Sequence, residues 1–488
     1  MRVLVTYPPL RGPGTPTLGQ NRQFQWFRRP TFIYPLVPAS AATLLHREGF
    51  DVLWKDAIAE RMSWSEYENY LITRRPDIIA VETKTPVVRR HWRILRRIRY
   101  WLPRSKLVLM GDHVTALPEE SLLNSPVDFV ITGGDYDFSL LGLARHLRDG
   151  AAMPPGIYYK ENGAIENTGS FQLTGDLDDL PFIDRGLTGW HMYGEKLYKR
   201  LPFTYVAAGR DCAYGRCTFC SWTTLYPKYR ARSPENVIAE IGQLAGRYGV
   251  REIFDDTGTF PSGKWLREFC RGMIKSRLNN RIRISCNFRS DYLLRDDLRL
   301  MRRAGFRLMK IGLESASQDT LDRLKKGTNI ARFEESLKRA KAAGLEIHLT
   351  IMVGFPWETR EDAERTVALG RGLLRKGVAD MLQATVVVPY PGTPLYKEAI
   401  ENDWFRVAAD DYDKFDMTTT VLKTPGMSPE EVMALCAKCY GGFLTPGYVW
   451  SRLRDVRSLE DVRFLARGIG PVLGHIGDFA FRPRKGKR

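Results

Sequence analysis

Residues 209–222 read Gly-Arg-Asp-Cys-Ala-Tyr-Gly-Arg-Cys-Thr-Phe-Cys-Ser-Trp and place three cysteines, Cys212, Cys217 and Cys220, within nine residues. The apolar run 203–208 precedes them and predicts a buried strand. A short loop that contains a glycine can fold back and direct several thiolates to one point. Because thiolates are soft ligands, the stretch predicts a zinc site or an iron–sulfur site.

The number of thiols separates these two kinds of site. A structural zinc site needs four ligands, and the loop contains no fourth cysteine or histidine. Three cysteines on a four-iron cluster leave one iron open, which is the pattern of the radical S-adenosylmethionine (SAM) enzymes. The loop resembles theirs, including the aromatic Phe219 before the last cysteine, although four residues, 213–216, separate its first two cysteines where that family usually has three. The alternative is a zinc knuckle or a set of unrelated buried thiols.

Length and composition indicate an ordinary globular protein of two or three domains. The chain has 488 residues, of which 43% are hydrophobic and 27% charged. No apolar run is long enough to span a bilayer, and two prolines end the first apolar run too early for a signal peptide. Seven cysteines, three of them clustered, favour a reducing compartment. We therefore expect a cytoplasmic protein without a disulfide framework.

The formal net charge of +18 is compatible with three kinds of partner, namely nucleic acid, an anionic membrane surface and acidic small molecules. Most arginines and lysines are dispersed along the chain, and the denser runs resemble solvated helix faces and a frayed carboxyl terminus. This distribution does not favour nucleic acid. Peripheral contact with a membrane stays open.

Residues 1–150 alternate short apolar runs with helical patterns, which predicts a parallel, doubly wound sheet. In such sheets, ligands bind at the carboxyl ends of the strands. The predicted strands are 3–6, 52–54, 78–81, 107–110 and 129–131. The predicted helices include 39–46, 64–73 and 92–101.

Two segments after these strands extend the family resemblance. Residues 111–120, Gly-Asp-His-Val-Thr-Ala-Leu-Pro-Glu-Glu, and 127–136, Val-Asp-Phe-Val-Ile-Thr-Gly-Gly-Asp-Tyr, resemble the flavodoxin-like cobalamin-binding domain that precedes many radical SAM domains. Residues 51–57 resemble its second strand. An Asp-x-His-x-x-Gly segment is absent from the sequence, so the resemblance implies cobalamin without a lower histidine ligand. The alternative is an empty flavodoxin-like scaffold.

The predicted cobalamin contacts lie at the strand ends, where small residues and hydroxyls let a bulky cofactor approach the backbone. A lone histidine after a strand is more often hydrogen-bonded within a loop than bound to a metal, and we expect His113 to contact the cofactor without ligating cobalt. The full predicted set is Tyr7, Asp56, Thr83, Thr85, Gly111, His113, Thr115, Gly133 and Gly134.

The rest of the chain divides into three predicted parts. Residues 151–200 form a linker with a small hairpin at 157–160 and 164–167, turned by Glu-Asn-Gly. Residues 201–400 contain six β/α units, which predict a partial barrel, curved like a TIM barrel and open for a large substrate. This is the fold of the radical SAM family. Residues 401–488 are predicted to be helical with aromatic interruptions, and to cap the barrel mouth or act as a packing domain.

The six barrel strands are predicted at 204–208, 252–255, 283–287, 308–312, 346–353 and 382–388. Family motifs fall at their carboxyl ends, and the resemblance implies that these bind SAM. The carboxylates of Asp255 and Asp256 are expected to bind the ammonium or the ribose of SAM, and helix capping is the alternative role for them. Arg289 is expected to pair with the carboxylate of SAM, and Gly312 with Glu314 to contact its adenosyl group. The predicted SAM-binding set is Phe219, Asp255, Asp256, Asn287, Arg289, Gly312, Glu314, Val353 and Tyr390. The remaining cysteines, Cys270, Cys286, Cys436 and Cys439, are expected to be buried thiols.

The family resemblance implies a 4Fe-4S cluster, SAM and cobalamin as cofactors. A reduced cluster would cleave SAM to a 5′-deoxyadenosyl radical, and the enzyme would methylate an unactivated carbon of its substrate. Protein side chains would hold and orient the reactants, so none is assigned a bond-making role. The reductant would be a flavodoxin or ferredoxin, and the substrate a small molecule, large and acidic or partly apolar.

Three alternatives to methyl transfer remain at the level of the sequence. The architecture also resembles the anaerobic magnesium-protoporphyrin monomethyl ester cyclases and the hopanoid-associated radical proteins, which implies a cyclase, an oxygen-inserting or a rearranging enzyme on a porphyrin-like or lipid-like substrate. A cobalamin or iron–sulfur sensor without catalysis belongs to another class. A tRNA-modifying enzyme would show salt-dependent RNA binding.

Overall fold

The computed structural model describes residues 1–18, 24–27, 32–194, 198–456 and 458–468. Two parallel sheets account for most of the strands, one in the amino-terminal part and one in the middle of the chain. No helix within these ranges is long and apolar enough to cross a membrane.

The first sheet is doubly wound, with five parallel strands and an antiparallel hairpin at one edge. The strands of this part are β1 (Arg2–Tyr7), β2 (Thr15–Pro16), β3 (Trp26–Phe27), β4 (Asp51–Asp56), β5 (Ile78–Glu82), β6 (Lys106–Met110), β7 (Phe129–Ile131), β8 (Ile157–Glu161) and β9 (Ala164–Asn167). The helices are α1 (Leu36–Arg47), α2 (Trp64–Arg74), α3 (Val88–Trp101), α4 (Asp112–Ala116), α5 (Pro118–Asn124) and α6 (Tyr136–Asp149).

The strand order in this sheet is β4-β1-β5-β6-β7-β8-β9, and β2 and β3 form a separate antiparallel pair. The five parallel strands therefore follow the flavodoxin-like order. The central strand β5 is buried along its whole length, because helices cover both faces of the sheet. The hairpin β8–β9, which the sequence places in a linker, instead extends the sheet by pairing with β7.

The second sheet has six parallel strands in the order β10-β13-β14-β15-β16-β17. Its strands are β10 (Phe203–Val206), β13 (Glu252–Asp255), β14 (Arg283–Phe288), β15 (Phe306–Glu314), β16 (Glu346–Val353) and β17 (Met381–Val386), and β11 (Gly209–Arg210) pairs separately with β12 (Arg230–Ala231). The helices are α7 (Trp222–Leu225), α8 (Pro234–Arg247), α9 (Gly263–Lys275), α10 (Arg295–Arg303), α11 (Gln318–Arg323), α12 (Ile330–Ala342), α13 (Arg360–Arg375), α14 (Pro394–Glu401), α15 (Pro429–Tyr440) and α16 (Pro446–Arg454).

The predicted α/β class and the six-stranded half barrel are confirmed. Two strands, β13 and β16, have the predicted bounds, and β15 is longer than predicted by two residues at each end. The exact domain boundaries stay a prediction. Of the predicted carboxyl-terminal region 401–488, residues 469–488 lie outside the described residues.

The carboxyl-terminal region packs against both sheets. Tyr440 on α15 hydrogen-bonds both the amide and the carbonyl of Ala384 in β17, at 3.2 and 3.1 Å. Tyr412 reaches the amino-terminal part, where its hydroxyl donates to Glu120 at 3.2 Å. The predicted burial of Cys436 and Cys439 is confirmed, since both thiols lie inside α15 against the core.

A buried group of four charged residues joins the two sheets, and we call Asp135, Asp137, Arg210 and Arg230 the ion cluster. Asp135 and Asp137 lie at the start of α6, whereas Arg210 and Arg230 lie on the paired strands β11 and β12. Arg210 contacts Asp135 at 3.0 Å and Asp137 at 2.9 Å, and Arg230 contacts Asp135 at 2.6 Å. Because all four side chains are nearly inaccessible to water, each charge depends on the others for compensation.

We predict that Asp137→Asn strongly destabilises the protein. Asp137 is fully buried, and its replacement leaves two buried arginines with one carboxylate. Breaking a buried ion pair from one side costs about 3–5 kcal/mol. The measurement is the urea midpoint for unfolding, followed by tryptophan fluorescence.

The matched control is Asp149→Asn, at the other end of the same helix. Asp149 pairs with Arg148 at 2.7 Å in an exposed position, where solvent screens the interaction. We expect the urea midpoint of this variant to equal that of the wild type. Equal midpoints for both variants would show that the ion cluster does not support the fold.

Candidate functional site

The cysteine loop is held over the carboxyl end of the six-stranded sheet. The pair β11–β12 closes its base, and Thr218 at its centre is fixed on two sides, because its amide donates to Leu324 O and its carbonyl accepts from the Leu395 amide, both at 3.0 Å. The hydroxyl of Tyr214 donates to Lys325 O at 2.7 Å. The loop is therefore anchored to the segments that follow β15 and β17.

The three predicted ligands, Cys212, Cys217 and Cys220, are all half-buried and form no disulfide. The Cys212 thiol lies 3.1 Å from the hydroxyl of Thr259. Across the described ranges, no three histidine, cysteine, aspartate or glutamate side chains are arranged to hold a metal ion. The donor set, three thiols on one anchored loop, fits an iron–sulfur cluster with one open iron. The ligand assignment itself stays a prediction.

Positive charge lies close to the middle thiol. Burial raises the pKa of Cys217, and the ammonium of Lys326 opposes this rise more than the guanidinium of Arg289 does. Because a bound metal takes a thiolate, nearby cations favour the ligand form of this cysteine. Lys326 is a residue that the sequence analysis missed, since it lies on a loop outside the strand-end motifs.

Lys326 forms a buried ion pair with Glu314 at 2.7 Å. The pair lies against Gly312, where a Cβ atom would collide with the carboxylate of Glu314. Glu314 has a left-handed backbone, with φ of 63°, and the register of β15 against β16 shifts between Gly312 and Glu314. The structure thus brings together the predicted Gly312 and Glu314, and the Lys326 ammonium would lie 2.7 Å from a Cβ atom at Gly312.

Arg289 follows β14, and its side chain lies against Lys326 and against Tyr214 of the cysteine loop. Its guanidinium pairs with Asp291 at 2.9 Å, donates to Lys326 O at 2.8 Å and covers the ring of Tyr214 at 3.7 Å. The predicted SAM-carboxylate fork is therefore engaged by a carboxylate of the protein itself. Arg289 lies beside the cysteine loop, and its role in binding SAM stays a prediction.

The other predicted SAM residues brace the strand ends. Asp255 accepts hydrogen bonds from the amides of Ala208, at 2.8 Å, and Thr257, at 3.1 Å, and burial raises its pKa to about 7. Asn287 donates to Thr257 O at 2.9 Å. These contacts tie β10, β13 and β14 together, which makes a structural role for both side chains evident. Of the rest, Val353 and Tyr390 are buried, and Asp256 and Phe219 are half-buried.

The predicted cobalamin contacts lie at the carboxyl end of the first sheet, and most are engaged by protein groups. The Tyr7 hydroxyl donates to Glu82, and Asp56 accepts from the Tyr193 hydroxyl at 2.7 Å. Burial raises the pKa of Asp56 to about 6. Tyr7, Asp56 and Tyr193 line a cavity of about 20 Å³ together with Ile58 and other apolar side chains.

The three predicted glycines have close protein neighbours. A Cβ atom at Gly111 would collide with the Thr83 carbonyl, and one at Gly134 with the ring of Tyr226. A Cβ at Gly133 would lie 2.5 Å from the ring of Phe171. These glycines therefore permit close packing within the protein, and their predicted contact with cobalamin stays a prediction.

His113 is fully buried and uses both ring nitrogens within the protein. Its Nδ1 lies 3.2 Å from Thr85 Oγ1 and its Nε2 lies 3.1 Å from Glu120 Oε2, while the ring of Tyr412 packs at 4.7 Å. The hydrogen-bonded arrangement leaves no ring nitrogen for cobalt. Thr115 and Thr83 are engaged as well, Thr115 with the Gly111 carbonyl at 2.7 Å and Thr83 with the His91 ring at 2.7 Å.

The carboxyl ends of the two sheets face each other. A Cβ at Gly392, after β17, would lie 2.9 Å from Cβ of Ala116 on α4 of the first sheet. Burial raises the pKa of Tyr390, and the nearby Asp112 raises it further. A second cavity, of about 70 Å³, lies beside the cysteine loop. It is lined from both sheets and the linker by residues that include Ser40, Phe182, Arg210, Trp222, Tyr226 and Asp256.

Glu358, in the loop after β16, is a second residue that the sequence analysis missed. It is 1% exposed, and Ser315, next to Glu314, donates to its carboxylate at 2.5 Å. Burial raises its pKa to about 7. The sequence offers no signal for it, because its burial arises from the packing of two loops that are distant along the chain.

We predict that Glu358→Gln reduces the loss of stability with rising pH. An acid whose pKa is higher in the folded state holds its proton there while the unfolded chain has lost it, so the free energy of unfolding falls between about pH 4.5 and pH 7. The shift corresponds to about 3 kcal/mol at neutral pH. Urea unfolding at about pH 5 and about pH 8 measures the difference. The exposed Glu361→Gln is the control, and an identical pH dependence in all three proteins would refute the prediction.

Comparisons with known proteins agree with this geometry. Residues 207–370, which include the cysteine loop, match the Radical SAM superfamily. A relative named uncharacterized methyltransferase PH0819, from Pyrococcus horikoshii, is 28% identical over 414 residues, covering 84% of this chain and 87% of the relative. The anaerobic magnesium-protoporphyrin IX monomethyl ester cyclase of Cereibacter sphaeroides is 26% identical over 400 residues, covering 80% of this chain and 63% of the cyclase.

Among solved structures, the radical S-adenosylmethionine methyltransferase TsrM from Kitasatospora setae has a similar fold. The TM-score is 0.71 with 17% sequence identity, and the alignment covers 98% of this chain and 99% of TsrM. That structure contains cobalamin and a [4Fe-4S] cluster. The similarity extends over both sheets, whereas the superfamily match is limited to the second.

The predicted resemblance, made on the spacing of Cys212, Cys217 and Cys220 and on the strand-end motifs, is therefore confirmed. Residues 207–370 form a radical SAM domain, and the chain is an enzyme.

Proposed function

We propose that this enzyme is a cobalamin-dependent radical SAM methyltransferase that methylates a carbon atom of a small-molecule substrate. The observation that carries the proposal is the position of the cysteine loop. The loop lies over the carboxyl end of the six-stranded sheet and is tied by Arg210 to α6 of the doubly wound sheet. A cluster on this loop would therefore lie next to a cofactor bound at the facing strand ends.

The names of the relatives support methyl transfer. PH0819 is named an uncharacterized methyltransferase, and TsrM, whose fold aligns with 98% of this chain, is a methyltransferase with cobalamin and an iron–sulfur cluster bound. When bound, the cluster would cleave SAM reductively to a 5′-deoxyadenosyl radical and cobalamin would carry the methyl group, with electrons from a flavodoxin or ferredoxin.

The chain's own residues would bind, orient and shield the reactants. Cys212, Cys217 and Cys220 would hold the cluster, and the cations Lys326 and Arg289 would offset negative charge beside it. SAM carries a carboxylate, an ammonium and ribose hydroxyls. The guanidinium of Arg289 and the carboxylate of Glu314 lie close to the cysteine loop and match the carboxylate and the ammonium of SAM in charge. In the structure, Arg289 pairs with Asp291 and Glu314 pairs with Lys326. Binding would therefore exchange internal ion pairs for contacts with SAM.

Cobalamin would lie against the carboxyl ends of β1, β4, β5, β6 and β7. The hydroxyls and carboxylates there, on Tyr7, Asp56 and the threonines after β5, could hold its polar side chains. His113 would support the cobalamin-binding residues from behind, because both of its ring nitrogens are hydrogen-bonded within the protein. The ion cluster would keep the carboxyl ends of these strands at a constant distance from the cysteine loop.

A radical cyclase is the second candidate. The relative from Cereibacter sphaeroides, which aligns with 80% of this chain, is named as a cyclase of a magnesium-protoporphyrin ester. The two candidates differ in product. Methyl transfer consumes SAM as methyl donor and as radical source, so it yields both S-adenosylhomocysteine and 5′-deoxyadenosine. Cyclisation yields no S-adenosylhomocysteine.

We predict that anaerobic, iron-reconstituted protein binds cobalamin and, with SAM and dithionite, forms both products. Cobalamin is measured by absorbance and the two nucleosides by mass spectrometry. Formation of 5′-deoxyadenosine alone, also when candidate substrates are supplied, would favour the cyclase over the methyltransferase. Formation of neither nucleoside, with no four-iron signal, would show that the extra residue in the loop has removed the site.

We predict that Cys217→Ala abolishes the four-iron absorbance and the formation of both nucleosides, because a cluster with two thiolate ligands is not retained. Cys439→Ala is the matched control, since this thiol is buried in α15 far along the chain from the loop. We expect the control to keep its iron content. Equal iron content in the two variants would refute the ligand assignment.

We predict that bound cob(II)alamin shows no nitrogen splitting from histidine in its electron paramagnetic resonance spectrum. The reason is that Thr85 and Glu120 occupy both ring nitrogens of His113. The spectrum of His113→Gln should equal that of the wild type. A splitting in the wild type that disappears in this variant would make His113 a cobalt ligand and contradict the structure.

A further inference from the structure

The amino-terminal end of the six-stranded sheet, opposite the cysteine loop, is covered by two helices of the carboxyl-terminal region. One is α16, whose Tyr448 donates to the carbonyl of Asp380, just before β17, at 2.9 Å. The other spans 459–468 and is held by an ion pair of 3.1 Å between Asp461 and Lys199, just before β10. Both helices therefore lie where the strands begin.

These helices turn apolar side chains to the solvent. Within the described residues, 13 large hydrophobic side chains are exposed, and six of them fall between residues 444 and 462. We call these six the apolar patch: Leu444, Val449, Trp450, Leu453, Leu459 and Val462. Trp450 is 69% exposed, and Val449, Trp450 and Leu453 share one face of α16. Such a concentration marks an interaction surface.

Cations lie at the same end of the sheet as the apolar patch. Glu460, on the second helix, pairs with Arg251 at 2.7 Å and Arg200 at 3.4 Å. The pKa of Arg283, at the start of β14, is lowered first by burial and then by Arg200 and Arg302, which shows that like charges are crowded here. We call six of the exposed arginines of this end the basic rim: Arg277, Arg281, Arg302, Arg303, Arg454 and Arg463.

Two acidic side chains lie at the surface here, Asp455, which pairs with Arg452 at 2.7 Å, and Glu460, and the other carboxylates of this end pair beneath the surface. Glu252 pairs with the buried Arg307 at 2.5 Å, Glu346 with Lys199 at 2.7 Å, and Asp380 with Lys341 at 2.7 Å. These carboxylates compensate buried or half-buried cations that lie beneath the surface. The exposed surface therefore keeps an excess of positive charge around an apolar centre.

We propose that this end of the barrel docks on an anionic lipid bilayer, with the apolar patch inserted at the level of the headgroups and the basic rim on the lipid phosphates. Tryptophan, leucine and arginine in this arrangement are typical of interfacial membrane contact. Nucleic acid would use the basic rim and gain little from Leu453, Leu459 or Val462. The inference is independent of the proposed chemistry, because the cysteine loop lies at the opposite end of the sheet and stays accessible.

The test is sedimentation of the full chain with vesicles of phosphatidylcholine, with and without phosphatidylglycerol. We expect binding to the mixed vesicles, weak binding to phosphatidylcholine alone, and loss of binding in high salt. Trp450→Ser with Leu453→Ser should weaken binding by at least about tenfold. Arg303→Gln with Arg463→Gln should weaken it by about fivefold for each arginine.

Matched controls come from α3, which packs on the amino-terminal sheet. Tyr100 is 86% exposed and Arg93 is also exposed, so Tyr100→Ser with Arg93→Gln removes the same kinds of side chain from a different surface. This variant should bind the mixed vesicles as the wild type does. All the replaced side chains are exposed, and an unchanged urea midpoint would show that each variant is folded.

Three outcomes would overturn the proposal. The first is an absence of vesicle binding by the wild type. The second is a dimer in solution, detected by light scattering, that dissociates in Trp450→Ser with Leu453→Ser while vesicles are not bound; the apolar patch would then be an interface between copies of the chain. The third is salt-dependent binding of RNA that depends on the basic rim and exceeds binding to the mixed vesicles.

Discussion

The pairing of buried charge between the two sheets is the constraint on which the arrangement depends. Arg210 lies two residues before Cys212 and is compensated by Asp135 and Asp137 at the start of α6. An uncompensated guanidinium in this position would be strongly unfavourable, so the cysteine loop and the doubly wound sheet must keep their relative position. The ion cluster therefore holds the two sheets next to each other, on either side of one candidate site.

Close packing at the carboxyl ends of the strands explains several features together. Gly312 leaves room for the ion pair of Glu314 and Lys326, and Gly134 leaves room for the ring of Tyr226. Residues that a cofactor could contact are thus already hydrogen-bonded or paired with protein groups. A ligand that binds between the two sheets would replace these internal contacts. The charged side chains released in this way are opposite in sign to the charged groups of SAM.

The two ends of the six-stranded sheet differ in chemistry. The carboxyl end holds thiols, buried carboxylates with raised pKa values and the facing sheet, which suits reactions shielded from water. The amino end is closed by α16 and the helix 459–468, whose ion pairs are satisfied towards the sheet and whose outer faces are apolar and basic. Part of the positive charge of the chain is thus concentrated at that end, in the six arginines of the basic rim.

The sequence alone determined the fold class, because alternating apolar runs and helical patterns report local geometry. It also determined the three-cysteine loop, whose cysteines are close along the chain, and the bounds of β13 and β16. Only the tertiary structure decided that Lys326 pairs with Glu314, that Glu358 is buried, that hairpin β8–β9 joins the sheet, and that Asp137 meets Arg210. The physical reason is that these contacts join segments distant along the chain, and neither hydrophobic periodicity nor motif spacing carries information about which distant charges will be buried together.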